Sequence, residues 1–282
     1  MKIALVGSSG YISSFIRERF KDEEILKIDK SGDYDEYLDL EDPVNFKYEI
    51  LDDIDQVIFP AAISGPDMCE KKFGRCWQIN VEGTSYFIEE ALQRNCRVLF
   101  FSSDAVFGDH PDEVFDEESY TDATTAYGKM KKAIEDRFKD NKNFKAIRLS
   151  YVVSLKDKFT RYCLSCLEKG EVCEVYDPFY RNCITIEDVL DCIGYLINKW
   201  DEYKPVFLNI AGSDLVGRED IVKELNKYFA DKIKYRVVEP DESFYACRPK
   251  IARMTSRYLF AYGIIEDESF ACKAKKMFDN KE

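Results

Sequence analysis

Tyr127 and Lys131 stand four residues apart in Ala126-Tyr-Gly-Lys-Met-Lys-Lys-Ala133, a stretch made largely of helix formers. On a helix this spacing puts the phenol and the ammonium on one face, one turn apart. A cation held beside a phenol favours the phenolate, so the pair predicts a lowered tyrosine pKa and a hydroxyl usable as a general acid or base near neutral pH. A solvated helix face shows the same spacing. What separates the two readings is whether the chain also supplies a cofactor site and a third polar group.

Both are present. Lys2–Val6 is a β-rich apolar run that leads into Gly7-Ser8-Ser9-Gly10-Tyr11-Ile12-Ser13, followed by an amphipathic helix striped with Ile12, Ile16 and Phe20. Strand, glycine turn and helix is the setting in which a backbone approaches a pyrophosphate while the helix N-terminus offers amides and positive dipole. A third glycine is expected where Ser13 stands, and serine is small enough for close helix–strand packing. A second strand, Glu24–Asp29, ends in Asp29, placed to accept hydrogen bonds from an adenine-side ribose. Its charge would repel a 2′-phosphate, so the cofactor expected is NAD or NADP with a lean to NAD, softened by the flanking Lys27 and Lys30.

Further strands are expected to end at Asp39-Leu40, to run over 56–62 through Ala61 and Ala62, and to run over 97–101. Asp42-Pro43 reads as a cap and first position of a helix, and Asn80 lies near the start of another that continues to about Arg94. The strand at 97–101 delivers Ser102-Ser103-Asp104 to the carboxyl edge of the sheet, where open α/β sheets place ligands. Ser103 is the third polar group. A strand-end serine also caps turns, but beside the glycine turn, Asp29 and the Tyr/Lys pair the catalytic reading is the better one.

Composition narrows the classes. With 41 basic and 54 acidic residues the chain carries a net charge of −13, which argues against a broad nucleic-acid or anionic-membrane surface. No apolar stretch approaches the ~20 residues of a membrane span and no secretion signal is read, so the expected compartment is the cytoplasm. The ten cysteines then read as reduced thiols. Cys163 and Cys166 have a zinc-knuckle gap and Cys173 follows, yet a second pair and a nearby histidine are missing, so no metal site is expected.

In the second half a strand at Phe144–Leu149, helices over 159–168, 187–199 and 219–229, and strands over 171–175, 206–210 and 235–238 follow from periodicity. A capped helix is expected over 255–262 with Gly263 as its stop. No linker or repeat separates the parts, so two lobes must interleave: 1–153 with 183–210, and 154–182 with 211–282.

The order and spacing of these features, together with Asp67, Glu70, Arg148-Leu-Ser, Ile186-Glu-Asp188 and Arg248-Pro-Lys250, resemble an extended short-chain dehydrogenase/reductase of the dTDP-4-dehydrorhamnose reductase kind, over nearly the whole chain. The resemblance implies a Rossmann α/β fold, a doubly wound parallel sheet with a smaller interleaved substrate lobe. By it, Ser103 would polarise a sugar oxygen, Tyr127 would transfer its proton, and Lys131 would hold the nicotinamide ribose, while hydride passes to the sugar C4. Cofactor contacts would fall on Gly7, Ser9, Gly10, Tyr11, Ile12, Asp29, Asp39, Leu40, Ala61, Ala62, Asn80, Ser102, Tyr127 and Lys131. Substrate contacts would come from Asp104, Val106, Arg181 and Arg248, the last suited to the diphosphate of a nucleotide sugar. The reaction expected is reduction of a nucleotide-linked 4-keto-6-deoxy sugar, and a homodimer is admitted. Ala105 stands where dehydratases carry a second carboxylate. A 4-epimerase retaining NAD and a catalytically silent dinucleotide-binding regulatory subunit are the alternatives.

Overall fold

In the computed structural model, residues 1–279 are described; the polar tail beyond them lies outside the described residues. The chain forms two compact units. The first comprises Met1–Gly108, Thr121–Arg148 and Tyr195–Leu208. Its strands β1 (Lys2–Val6), β2 (Glu24–Asp29), β3 (Glu36–Tyr37), β4 (Gln56–Phe59), β5 (Arg97–Ser103) and β6 (Phe144–Leu149) join Phe207–Ile210 in one seven-stranded sheet. The spatial order is Phe207–Ile210, β6, β5, β4, β1, β2, β3, with β1 pairing parallel to both β2 and β4. A sheet that grows outward in both directions from β1 is doubly wound, and its chain reversal beside β1 opens a crevice at the carboxyl ends of the strands.

Strands buried on both faces must be apolar throughout, as Ile3, Ala4, Leu5, Val57, Ile58, Phe59, Val98 and Leu99 are, all fully buried. The helices of this unit are α1 (Tyr11–Arg19), α2 (Pro66–Lys71), α3 (Phe73–Trp77), α4 (Thr84–Gln93) and α5 (Ala126–Phe138). A π-helical turn over Gln78–Gly83 joins α3 to α4. It brings Gly83 so close to Leu40 that a Cβ there would lie 1.9 Å from the Leu40 carbonyl oxygen.

Two expectations about this unit are corrected. The third strand is only Glu36–Tyr37 and stops before Asp39-Leu40, because Lys30 and the Glu41 amide engage the Asp39 side chain and turn the chain there. Asp42 does not cap a long helix: Pro43–Asn45 is a single 3₁₀ turn, and the Asp42 carboxylate accepts instead from Asn45 Nδ2 at 2.6 Å.

The second unit comprises Asp109–Tyr120, Leu149–Gly194 and Asn209 onward. The lobes expected from sequence place 109–120, 149–153, 183–194 and 209–210 with the first unit. Long-range pairing explains the first of them: the Phe115 amide donates to the Arg253 carbonyl and the Phe115 carbonyl accepts from the Thr255 amide, and buried Glu117 accepts from the Asn209 amide, the Arg257 amide and the Ser256 hydroxyl. The same contacts remove the helix expected over 255–262. The Ser256 hydroxyl accepts from the Tyr258 and Leu259 amides, so those donors are satisfied by a side chain and the segment is a series of turns ending at left-handed Gly263. Cys163, Cys166 and Cys173 lie together in an apolar cluster with Val175, Val222 and Leu225. Among the described residues no helix is long and apolar enough to cross a membrane.

Candidate active site

The glycine turn is built by close approach. Gly7 has φ +85°, and a Cβ on it would fall 2.8 Å from Ala61 Cα, so only glycine lets the end of β1 lie against the segment after β4. Gly10 precedes α1 in extended conformation. Ser13, in the third-glycine position, is fully buried and donates to the Gly7 carbonyl at 2.6 Å. The serine therefore staples helix to turn where a glycine would only have made room. Tyr11 is exposed and Ile12 half-buried at the helix start.

Asp29 closes the other side. One carboxylate oxygen accepts from the Ser9 amide at 2.8 Å, and the other from the Lys30 and Ser31 amides at 2.7 and 3.2 Å. Its orientation is thus set by backbone donors from both the glycine turn and its own loop. Between them lies a cleft of about 360 Å³ lined by Gly7, Asp29, Lys30, Asp39, Leu40, Glu41, Ala61, Ala62 and Arg75, among others, within the roughly 300–1,000 Å³ usual for small-molecule sites. A turn with glycine at both ends, a helix N-terminus and an oriented carboxylate fit a dinucleotide's pyrophosphate and ribose.

Sequence reasoning missed two charged residues of the cleft's rim, Glu41 and Arg75. Lys30 Nζ lies 2.6 Å from Asp39 and 3.3 Å from Glu41, and Arg75 donates Nε and Nη2 to the two oxygens of Glu41 at 2.8 and 2.9 Å. Lys27, by contrast, turns to Asp33 and Asp35. Arg75 is 34 residues from its partner, and no local spacing announces such a pair.

Along the same edge, β5 ends at Ser103, whose hydroxyl accepts from the Ala105 amide at 3.2 Å and donates to Asp104 at 2.9 Å. The capping role weighed for this serine is realised, and it fixes the oxygen's position. The next turn, Asp104–Phe107, is pressed against α5 at Gly128, where a Cβ would come within 2.2 Å of the Ala105 carbonyl oxygen. Thr125 caps α5 through the Gly128 amide. Glycine at 128 therefore lets the first turn of α5, which carries Tyr127, pack against the Asp104–Phe107 turn that follows Ser103.

Lys131 is 3% exposed, with Nζ 4.5 Å from the Phe100 ring centroid and 5.7 Å from that of Tyr127. One turn further along α5, Glu135 forms a buried, two-pronged salt bridge with Arg148, at 2.7 Å for the Nη2 arm. Burial pushes Lys131 down to about 7, opposed by the Glu135 carboxylate. Tyr127 moves the other way from what its spacing predicts: burial, helped by the charge of Cys69 and Asp104, pushes its phenol above the ordinary tyrosine value. The ammonium lies beside the ring, and the same low-dielectric surroundings disfavour charge on both groups.

The remaining expected site residues divide. Ser102 is buried next to Ser103. Asn80 is buried and clamps Ile63, accepting from its amide at 2.8 Å and donating to its carbonyl at 2.9 Å, so it shapes the cleft wall from behind. Val106, expected among the substrate contacts, is fully buried in the turn after Asp104. In the second unit Arg181 is 8% exposed and donates to the carbonyls of Tyr180 and Pro249 at 2.6 and 2.7 Å. It acts as a strut that ties down the Arg248-Pro249-Lys250 segment. Arg248 itself is half-buried, packed over Phe244 and donating to its carbonyl at 3.2 Å.

A doubly wound parallel sheet with a glycine turn after β1 and an acid closing β2 defines a Rossmann-type α/β fold. Within that class the chain belongs to the family described as the RmlD substrate binding domain, whose model matches residues 1–282. It is 30% identical over 99 residues to the spore coat polysaccharide biosynthesis protein SpsK of Bacillus subtilis, a match covering 35% of this chain and 35% of that relative. Its fold is that of the dTDP-4-dehydrorhamnose reductase of Bacillus anthracis crystallised with NADP, at 20% identity and a TM-score of 0.82 over 100% of this chain and 99% of the other. It is likewise similar to MoeE5 in complex with UDP-glucose and NAD, at 18% identity and a TM-score of 0.80 over 99% and 98% of the two chains.

Proposed function

We propose that the chain is an NAD(P)H-dependent reductase of a nucleotide-linked 4-keto-6-deoxy sugar, serving polysaccharide or deoxysugar synthesis. The observation that carries the reading is the close packing of the first turn of α5, which holds Tyr127, on the turn after Ser103 through the glycine contact at 128, with Lys131 Nζ 5.7 Å from the Tyr127 ring centroid. Family membership and the dinucleotide-shaped cleft at Gly7 and Asp29 support it. The cofactor, when bound, supplies the hydride.

The chain's own residues would do the rest. Tyr127, its pKa raised by burial, keeps its proton at neutral pH and gives it to the sugar oxygen as negative charge develops there. Ser103, its oxygen fixed by the Ala105 amide, turns its proton from Asp104 to that same oxygen. Lys131 sits near its titration point and gains charge as anionic groups approach. Arg248 would face the nucleotide's diphosphate, and Arg181 would hold its segment in place.

The test is a panel of nucleotide 4-keto sugars with NADH and NADPH, read by cofactor oxidation and product NMR, on wild type and Tyr127→Phe. Loss of a proton donor should slow turnover by about 10²–10⁴-fold while dinucleotide binding is kept. Turnover of Tyr127→Phe at the wild-type rate would sink the mechanism. Sugar interconversion with no net change in NAD(P)H would replace reductase by epimerase, and dinucleotide binding without turnover of any sugar would favour a regulatory subunit.

A further inference from the structure

The rim of the cleft bears on which nicotinamide cofactor is taken, an inference that rests on the dinucleotide reading above. Two cations, Lys30 and Arg75, stand there among three carboxylates, those of Asp29, Asp39 and Glu41. Lysine and arginine near the acid that closes β2 are the residue types that accommodate a 2′-phosphate, arginine through its two-pronged fork. Neither is offered to solvent as a free group. Arg75 places its fork on both oxygens of Glu41, and Lys30 is shared between Asp39 and Glu41.

Glu41 is the common partner of both cations. Its amide donates to Asp39 at 2.9 Å, so the two acids are held as one unit across the Lys30 ammonium. Hydrogen bonds from Arg75 hold its acidity at about 2, which keeps it ionised at any physiological pH. A 2′-phosphate would have to displace this carboxylate from the Arg75 fork while standing near Asp29 and Asp39. A 2′-hydroxyl needs no such displacement, since Asp29 is already oriented by three backbone amides.

We propose that Glu41 sets cofactor choice: by occupying the Arg75 fork and sharing Lys30 with Asp39 it excludes a 2′-phosphate, so that the chain selects NADH, and its removal turns the same rim into an NADPH site. The side chains of Lys30 and Arg75 are 48% and 57% exposed, so both are positioned to swing to a new anion once Glu41 is gone.

The experiment titrates the full chain with NADH, NADPH, 5′-AMP and 2′,5′-ADP by calorimetry, which reads binding without turnover. Wild type should bind NADH more tightly than NADPH, and 5′-AMP more tightly than 2′,5′-ADP. In Glu41→Gln the affinities for NADPH and 2′,5′-ADP should each rise about tenfold, the worth of roughly one charge-assisted hydrogen bond, with NADH little changed. Adding Arg75→Ala to Glu41→Gln should erase the gain. Asp53→Asn, at an exposed position away from the cleft, removes the same unit of charge and should give no gain. An unchanged NADPH to NADH ratio in Glu41→Gln, or an equal gain in Asp53→Asn, overturns the proposal and leaves the dinucleotide reading intact. Failure of wild type to bind either dinucleotide overturns that reading, and this proposal with it.

Discussion

Lys131 and Lys30 belong to one compact unit, yet their ammonium groups are shifted in opposite directions. Lys131 is almost wholly enclosed beside Phe100 and Tyr127, and burial lowers its pKa to about 7. Lys30 stands at the rim, about half exposed, and its hydrogen bond to Asp39 raises it. The difference shows two ways of placing charge. Where proton transfer is proposed, surroundings that penalise any charge leave Lys131 near its titration point; where an anionic ligand is to be sorted, charges are fixed and balanced against one another. Shifts of the first kind depend on packing, whereas those of the second depend on partners and on ionic strength.

The sharpest break of this contrast is at Glu135, a carboxylate of the enclosed region that pairs with the buried Arg148 guanidinium. Glu135→Gln leaves Arg148 charged at 2% exposure without its ionic partner, and should cost about 3–5 kcal/mol, read as a shift in urea midpoint. A loss below 1 kcal/mol would show that the region tolerates bare charge and is less enclosed than described.

Lys131 provides a pH signature of opposite sign to the usual paired lysine. Because its folded pKa, about 7, lies below the ordinary value of 10.5, the unfolded chain binds more protons between those values and stability should rise with pH across that window. The full swing is at most about 5 kcal/mol, constant below pH 7 and gone above 10.5. Lys131→Met should flatten the rise relative to wild type in urea midpoints measured from pH 7 to 10; parallel curves would mean that burial does not govern this ammonium.

Gly128→Ala tests packing without touching charge. The added methyl meets a backbone oxygen at 2.2 Å, so α5 and the Asp104–Phe107 turn must separate, at about 1–3 kcal/mol. Sugar reduction should fall more steeply than dinucleotide binding. Wild-type turnover in this variant would detach the glycine contact from the site.

The smallest effect is expected at the rim. Glu41→Gln removes a half-buried rim partner of Lys30 and Arg75, and its urea midpoint should match wild type within error, in low and high salt alike, even as its cofactor affinities change. A large loss of stability would make the rim a structural clamp.

Much of the frame was legible because it is local. Lys2–Val6, Glu24–Asp29 and Phe144–Leu149 are strands over the residues their apolar runs predict, and the glycine turn is recognisable from Gly7 and Gly10 alone. What escaped was long-range. Arg75 and Glu41, 34 residues apart, meet only once α3 and the 39–41 segment are brought together by the fold. Residues 255–262 have helical periodicity but surrender backbone donors to the Ser256 hydroxyl within the segment, which is itself held by Glu117 from far along the chain. Tyr127 and Lys131 were found by spacing, while the direction of the Tyr127 shift depends on an enclosure that spacing cannot express.

Gly83 carries a last consequence. Its π-helical turn rests backbone to backbone on Leu40, a residue that walls the cleft between Asp39 and Glu41. The width of the slot is therefore anchored by main chain, while the ionic character of its mouth is written in the side chains at 30, 41 and 75. Shape and charge are thereby under separate genetic control. On the proposed cofactor reading, single substitutions at the mouth would change its charge without rebuilding the slot that glycine at 83 anchors.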